Sequence, residues 1–412
     1  MRLFRLAAGF LFALSCWTCT TENPVVLPEV KCKLENTSPV SESSKPLVEG
    51  VYELELGLAR FGPEVVVKWG GKHLSIFTQT SYIVLEVGQK DSVIYLCGHW
   101  RVPTGDATGL INLIIAKDEG ASSILKGIMP TSITIKGLYG NQSNPVSTPV
   151  VFKYKRYFST KVTSGNFHIL GHRGGGRTSD RLPVSENSIP MIGYAERLGA
   201  TGVEIDIRLT KDKVPVLYHD SDLNIRLTTK GPLNGPIENF TWNQLRVFVR
   251  LIRGEQIPQL AEALDYVVDS TQLSFVWLDI KNPEVVALIE PIQQQALLHA
   301  DAIGRNVKIL MGIPADDVLA AFKALPAYQS TPSLCEISPE EARELNSRVW
   351  APRWTLGTQN DLVADVQGEG RDVICWTIDT PGFIKQFIEL GRFDGLLTNY
   401  PSTVAYYHYI QE

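Results

Sequence analysis

Residues 202 to 210 alternate strictly. Val203, Ile205, Ile207 and Leu209 share one parity, while Glu204, Asp206, Arg208 and Thr210 share the other. A period of two marks a β-strand, so one face is apolar and the other carries two carboxylates about 6–7 Å apart. The next apolar run, Val214 to His219, follows after only Lys211-Asp212-Lys213. A parallel crossover needs about a dozen residues, so this connection is a hairpin. Counting back through the turn places His219 roughly opposite Glu204.

Upstream, Phe167 to Gly171 reads as a buried strand that ends at His172-Arg173-Gly174. The stretch from Leu170 to Asp220 therefore gathers His172, Arg173, Glu204, Asp206 and His219 on or beside apolar strands. A core does not tolerate that density of ionisable groups without a metal or an anion to balance it. The intervening helix is punctuated by Asn187 or Ser188 as cap, Pro190 in the first turn, and Gly199 as stop. Its apolar stripe is Ile189, Ile192, Ala195 and Leu198.

Further strands are expected at Leu273 to Lys281, Val307 to Ile313, Ser333 to Ile337, Arg348 to Trp354, Asp372 to Ile378 and Gly395 to Asn399. Helical patterns separate most of them. Setting aside the hairpin excursion at Val214, a parallel βα series remains with the size of a (β/α)8 barrel. Asp279 and Lys281 share a strand face.

The preceding part, 49–157, reads as a smaller all-β domain, a sandwich or small barrel, because short strands recur between Gly and Asn turns. Trp69, Trp100, Tyr82 and Phe77 either form its core or present a sugar- or lipid-facing platform. Residues 158–166 read as a linker, with the catalytic domain at 167–412. Residues 1–15 resemble an export signal, with Arg2 and Arg5 before an apolar segment too short to span a bilayer. Ala13-Leu14-Ser15-Cys16 resembles a bacterial lipobox, which makes Cys16 a candidate for lipidation and places the protein, membrane-anchored, in the cell envelope. An ordinary cleaved signal is the alternative. Residues 16–48 then read as a flexible tether. Cys32 and Cys97 could bridge in an oxidising compartment, while Cys335 and Cys375 read as buried thiols. No cysteine pair has zinc-site spacing. A net charge of −5 without a basic run argues against a nucleic-acid partner.

Taken together, Gly171-His172-Arg173-Gly174, Glu186-Asn187-Ser188, Glu204-Ile205-Asp206, His219-Asp220, Leu278-Asp279-Ile280-Lys281, Cys375-Trp376-Thr377 and Asp394 to Asn399 resemble the glycerophosphodiester phosphodiesterase family in order and spacing. The resemblance covers about Phe167 to Pro401 and departs from the family at Asp279, usually Glu, and at Asn399, where Asp is common. It implies a TIM barrel that hydrolyses a glycerophosphodiester to sn-glycerol 3-phosphate and an alcohol with one divalent cation. Glu204, Asp206 and Asp279 would hold the cation, and an all-carboxylate set favours Ca2+ or Mg2+ over zinc. Arg173 and Lys281 would contact the phosphate, and Trp376 would line the alcohol side or pack in the core. His172 and His219 would transfer protons, by the family's route through a cyclic phosphate. The competing readings are a lyase that stops at the cyclic phosphate and a non-enzymatic lipoprotein that binds envelope glycans or lipids.

Overall fold

The alternating segments of the first half close on themselves. In the computed structural model, which describes residues 27–30, 32, 34–142 and 144–412, eight antiparallel strands form a closed barrel. They are β1 (Gly50–Leu56), β2 (Glu64–Gly70), β3 (His73–Phe77), β4 (Tyr82–Lys90), β5 (Val93–Arg101), β6 (Thr108–Ile115), β7 (Thr134–Tyr139) and β8 (Thr148–Arg156). β8 pairs back onto β1, which leaves no free edge. One parity of each strand points inward, and Val65, Val67, Ile94, Leu96, Ile111, Leu113, Val150 and Phe152 pack there. Trp100 is buried in the barrel core and Trp69 packs against that core half-buried, whereas Tyr82 and Phe77 are buried on the outer face.

Cys16 and the export segment lie outside the described residues. The tether expected across 16–48 is corrected where it can be followed. Cys32 is bonded to Cys97. Ser38 and Gln89 exchange backbone hydrogen bonds of 2.9 and 2.8 Å. Val40 and Val48 enter the barrel core, and the Ser44 hydroxyl donates to the Ile124 carbonyl at 2.7 Å. Isolated apolar residues in a polar stretch give no periodic signal, yet each finds a seat. The linker at 158–166 is likewise packed. It contains a short helix, Thr160–Ser164, Phe158 and Val162 are buried, and the Phe158 ring lies 5.0 Å from that of Tyr409.

The second half is the expected parallel barrel. Its strands are β9 (His168–Gly171), β10 (Gly202–Leu209), the hairpin strand β11 (Pro215–Leu217), then, after a small pair β12 (Asp222–Leu223) and β13 (Gly235–Pro236), β14 (Phe275–Ile280), β15 (Lys308–Ile313), β16 (Ser333–Cys335), β17 (Val349–Trp350), β18 (Asp372–Cys375) and β19 (Gly395–Thr398). β19 pairs with β9, and β9 with β10, to close the ring. β11 is antiparallel to β10, as the three-residue turn requires. β17 and β18 stop earlier than their apolar patterns suggest, because the chain leaves the sheet at Ala351 and Trp376 to build the mouth. Inside, Leu170, Phe275, Trp277, Leu310, Leu334, Val349, Ile374 and Leu397 fill the base. Gly312 makes room there, since a Cβ would sit 2.6 Å from Trp277 Nε1. The polar side chains are left for the open end, where the strands' C-termini lie.

The two barrels share one continuous apolar cluster. Val51, Val66, Phe77, Tyr82 and Val84 on the outer face of the first barrel pack with Ala195, Leu198, Ala405 and Tyr409 of the second. The helix Pro401–Tyr409 is buried at every position because it lies against both barrels.

Candidate active site

The mouth of the second barrel gathers the candidate residues. Parallel pairing sets Asp206 directly beside Asp279, and Glu204 beside Trp277. Oxygen atoms of Glu204, Asp206 and Asp279 lie within 4.8 Å of one another. His172, Arg173, Glu204, His219, Asp279, Lys281 and Trp376 line one cleft of about 510 Å³. Asp206 is fully buried and contributes from its floor. His219 is one residue off the expected pairing. Ile207 pairs with Leu217 and Tyr218 N donates to Asp206 O at 3.0 Å, so His219 falls beyond the paired segment, nearest Ile205 in register.

Carboxylates crowded in a dry site resist ionisation together. Burial, then Asp206 and Asp279, push the Glu204 carboxyl well above its ordinary range. Burial also raises Asp279. At Asp206 burial is the largest influence and works in the same direction, but Lys281, His219 and His172 together outweigh it and the net shift is downward. Lys281 Nζ lies 2.8 Å from Asp206 Oδ1 and also donates to Asp279 Oδ2. Burial opposes its charge, yet the three carboxylates hold its pKa above the usual value. Glu204 Oε1 is buried without a hydrogen-bond partner. Three convergent carboxylates, one with an orphaned oxygen, fit a hard divalent cation.

Each histidine is held in one tautomer. Asn399 Nδ2 donates to Asp379 Oδ2 at 2.6 Å, which turns its Oδ1 toward His172 Nδ1 at 2.9 Å. His172 therefore carries its proton on Nδ1 and presents bare Nε2, 3.7 Å from Glu204 Oε2. Burial lowers its pKa to about 4. Arg173 Nη2 lies 2.8 Å from His219 Nε2. Arginine can only donate, so this nitrogen accepts, and His219 Nδ1 donates to Asp220 Oδ1 at 2.7 Å. Burial works to raise Asp220, but bonds from Arg226, His219 and Asn224 outweigh it and keep it ionised.

The loop after β9 holds three non-glycine residues in the left-handed region, Arg173 and Asn187 at φ 56° and Arg181 at φ 57°. Non-glycine residues sit there only when their surroundings compel it. Asn187 N donates to Arg173 O at 2.8 Å, and Arg173 N donates to Glu204 Oε2 at 2.7 Å. Asn187 clamps Asp206 from both sides, giving Nδ2 to Oδ2 at 2.6 Å and taking the Asp206 backbone N–H at 3.0 Å. Ser188, not Asn187, caps the helix. Glu186 accepts from Arg173 Nη1 at 2.9 Å and from Thr178 N at 2.7 Å. Both Glu186 and Asn187 thus do more than capping.

On the opposite wall, Trp376 donates its indole N–H to Ala351 O at 2.7 Å, and the Arg353 guanidinium lies 5.0 Å above its ring. Beside them is Glu336, which the sequence reading passed over. It lines the same cleft and its Oε1 has no hydrogen-bond partner. Burial and then Asp279 push its carboxyl well above the ordinary range. Its parity with Leu334, which points into the barrel, was the available signal.

The family model for the glycerophosphoryl diester phosphodiesterase family matches residues 172–403. The chain belongs to that family. A glycerophosphodiester phosphodiesterase of Caldanaerobacter subterraneus is 25% identical over 245 residues, which are 57% of this chain and 95% of the relative. Probable glycerophosphodiester phosphodiesterase 2 of Mycobacterium tuberculosis is 27% identical over 247 residues, 56% of this chain and 86% of that protein. A crystal structure of a glycerophosphodiester phosphodiesterase from Parabacteroides distasonis is 24% identical with a TM-score of 0.46, covering 58% of this chain and 95% of that one. The family match begins at His172, and the first barrel lies outside it.

Proposed function

We propose that this member of the family hydrolyses glycerophosphodiesters to sn-glycerol 3-phosphate and an alcohol, with one divalent cation, Ca2+ or Mg2+, on Glu204, Asp206 and Asp279. One observation carries the reading: the mouth of a parallel barrel sets two histidines beside a three-carboxylate seat. When bound, the cation polarises the phosphoryl oxygen as a Lewis acid. Arg173 and Lys281 neutralise the remaining phosphate charge. An incoming phosphate draws the Arg173 guanidinium away from His219 and frees Nε2. One histidine then takes the proton of the glycerol 2-hydroxyl as it attacks phosphorus, and the other, which takes up a proton from solvent before the reaction starts, gives it to the departing alcohol oxygen. Water opens the cyclic phosphate with the two roles exchanged.

The test is product analysis by mass spectrometry, with glycerophosphocholine, glycerophosphoethanolamine and glycerophosphoinositol as substrates, after chelation and after return of each metal. The expected result is no turnover without metal and sn-glycerol 3-phosphate with it. A cyclic phosphate that accumulates as the end product would replace hydrolysis by a lyase reaction, and turnover that survives chelation would remove the cation.

We further read the protein as exported and lipid-anchored through Cys16 in a bacterial envelope. The Cys32–Cys97 bond supports an oxidising compartment. Radiolabelled palmitate should enter the wild-type chain and not Cys16→Ala. Equal labelling of both would rule out that anchor.

A further inference from the structure

No residue of the first barrel lines the cleft, yet that barrel places a buried cation against a loop that does. Arg101, the last residue of β5, is 2% exposed. Its strand parity turns it outward, with Cys97 and His99, while Leu96 and Trp100 face the barrel core. Among the described residues no carboxylate lies within ion-pair distance of it. A buried guanidinium without a carboxylate loses its hydration with little return, so its remaining contacts must justify the position. They are two backbone carbonyls of the other domain. Nη2 donates to Asp180 O and Nη1 to Arg181 O, the latter at 3.4 Å.

Those carbonyls belong to the loop that shapes the active site. Asp180 accepts from Arg177 and, at 3.1 Å, from the Tyr400 hydroxyl. Two residues before Asp180, Thr178 N holds Glu186 Oε2 at 2.7 Å. Glu186 Oε1 holds Arg173 Nη1 at 2.9 Å, and Arg173 Nη2 holds His219 Nε2 at 2.8 Å. Arg181 N donates to Thr178 O at 3.1 Å, so hydrogen bonds joined through the short backbone segment from Thr178 to Arg181 link the first barrel to a histidine of the second.

We propose that the first barrel is a brace for the active-site loop, and that Arg101 is the positioning residue through which it acts, setting Glu186 and, through it, Arg173 and His219. The proposal rests on the proton-transfer reading of His219 given above.

The experiment is a double-mutant cycle on kcat and KM with Arg101→Met and Glu186→Gln in the full chain. Misplacement of reacting groups by a fraction of an ångström to about 1 Å costs up to about a hundredfold, so Arg101→Met should lower kcat by roughly tenfold to a hundredfold, with a smaller change in KM. If the brace acts through Glu186, the double variant is slower than Glu186→Gln alone by no more than about twofold. Losses that multiply would overturn the proposal. Ser75→Ala is the control, because Ser75 Oγ also crosses the interface, to Arg197 O at 2.7 Å, but away from the loop. It should keep kcat within about twofold of wild type, and an equal loss in Ser75→Ala would reassign the effect to general loosening of the interface. Arg101→Lys, which keeps the charge, should recover part of the rate. If Arg101→Met does not fold, Arg101→Lys enters the same cycle with the same criterion. Wild-type turnover in His219→Ala would sink the proton-transfer reading, whereas a multiplicative cycle sinks only the brace.

Discussion

Glu204→Gln should abolish metal-supported turnover while leaving the barrel folded. Glu204 brings to the seat a carboxylate oxygen that is buried and without a hydrogen-bond partner, and its other oxygen takes the Arg173 backbone N–H. Glutamine preserves the shape and an oxygen for that N–H but removes the charge. Even outer partners of metal ligands cost about 10–100-fold when removed, so loss of a ligand charge should weaken metal binding by at least about a hundredfold. Stability should move the other way. Burial and the neighbouring carboxylates hold the Glu204 carboxyl above its ordinary range in the absence of metal. Ionising it there therefore costs stability as pH rises beyond the ordinary carboxylate range, and the neutral isostere escapes that cost. Calorimetric metal titration, together with melting of the metal-free proteins, checks both halves. A Glu204→Gln enzyme that turns over normally at modest metal concentration would remove Glu204 from the seat.

His172→Ala and His219→Ala should each lower kcat by about 10²–10⁴-fold, the usual worth of a positioned proton-transfer group. Neither ring packs the apolar core, so melting temperatures should change little. The two can be told apart with a p-nitrophenyl leaving group, which departs without protonation. The histidine that serves first as acid becomes nearly dispensable for release of p-nitrophenol, while the one that serves first as base does not. If both variants lose the same factor on the activated and the natural substrate, the division of roles is wrong. If either keeps wild-type kcat on the natural diester, that histidine has no part in the chemistry.

Strand parity made half of this site readable before any coordinates. Alternation over residues 202–210 put Glu204 and Asp206 on one face, and the same argument in the later strand placed Asp279 and Lys281 together. The short turn at Lys211 forced the hairpin that returns His219, although the paired segment ended a residue sooner than counting implied. Asn187 and Ser188 are both good caps, so local rules could not show that Ser188 takes that role and frees Asn187 for Asp206. Asn399 was visible only as a departure from a pattern, because its hold on His172 spans 227 positions of sequence. Glu336 stood alone in an apolar run, with no nearby partner to mark it. Arg101 was unreadable for a deeper reason. An arginine ending a strand is ordinarily solvated, and only docking of the second barrel buries it.

The lysine at the proposed metal seat has a bearing on how such an enzyme would mature. With its ammonium against Asp206 and Asp279, the carboxylate cluster already contains a positive charge of its own. Acquiring the fold and acquiring the metal can then be separate events, in either order of time, rather than one coupled transition of the kind seen in small zinc domains. Removing and returning a divalent cation should then cycle activity while the scaffold stays intact, which melting curves with and without chelator would check.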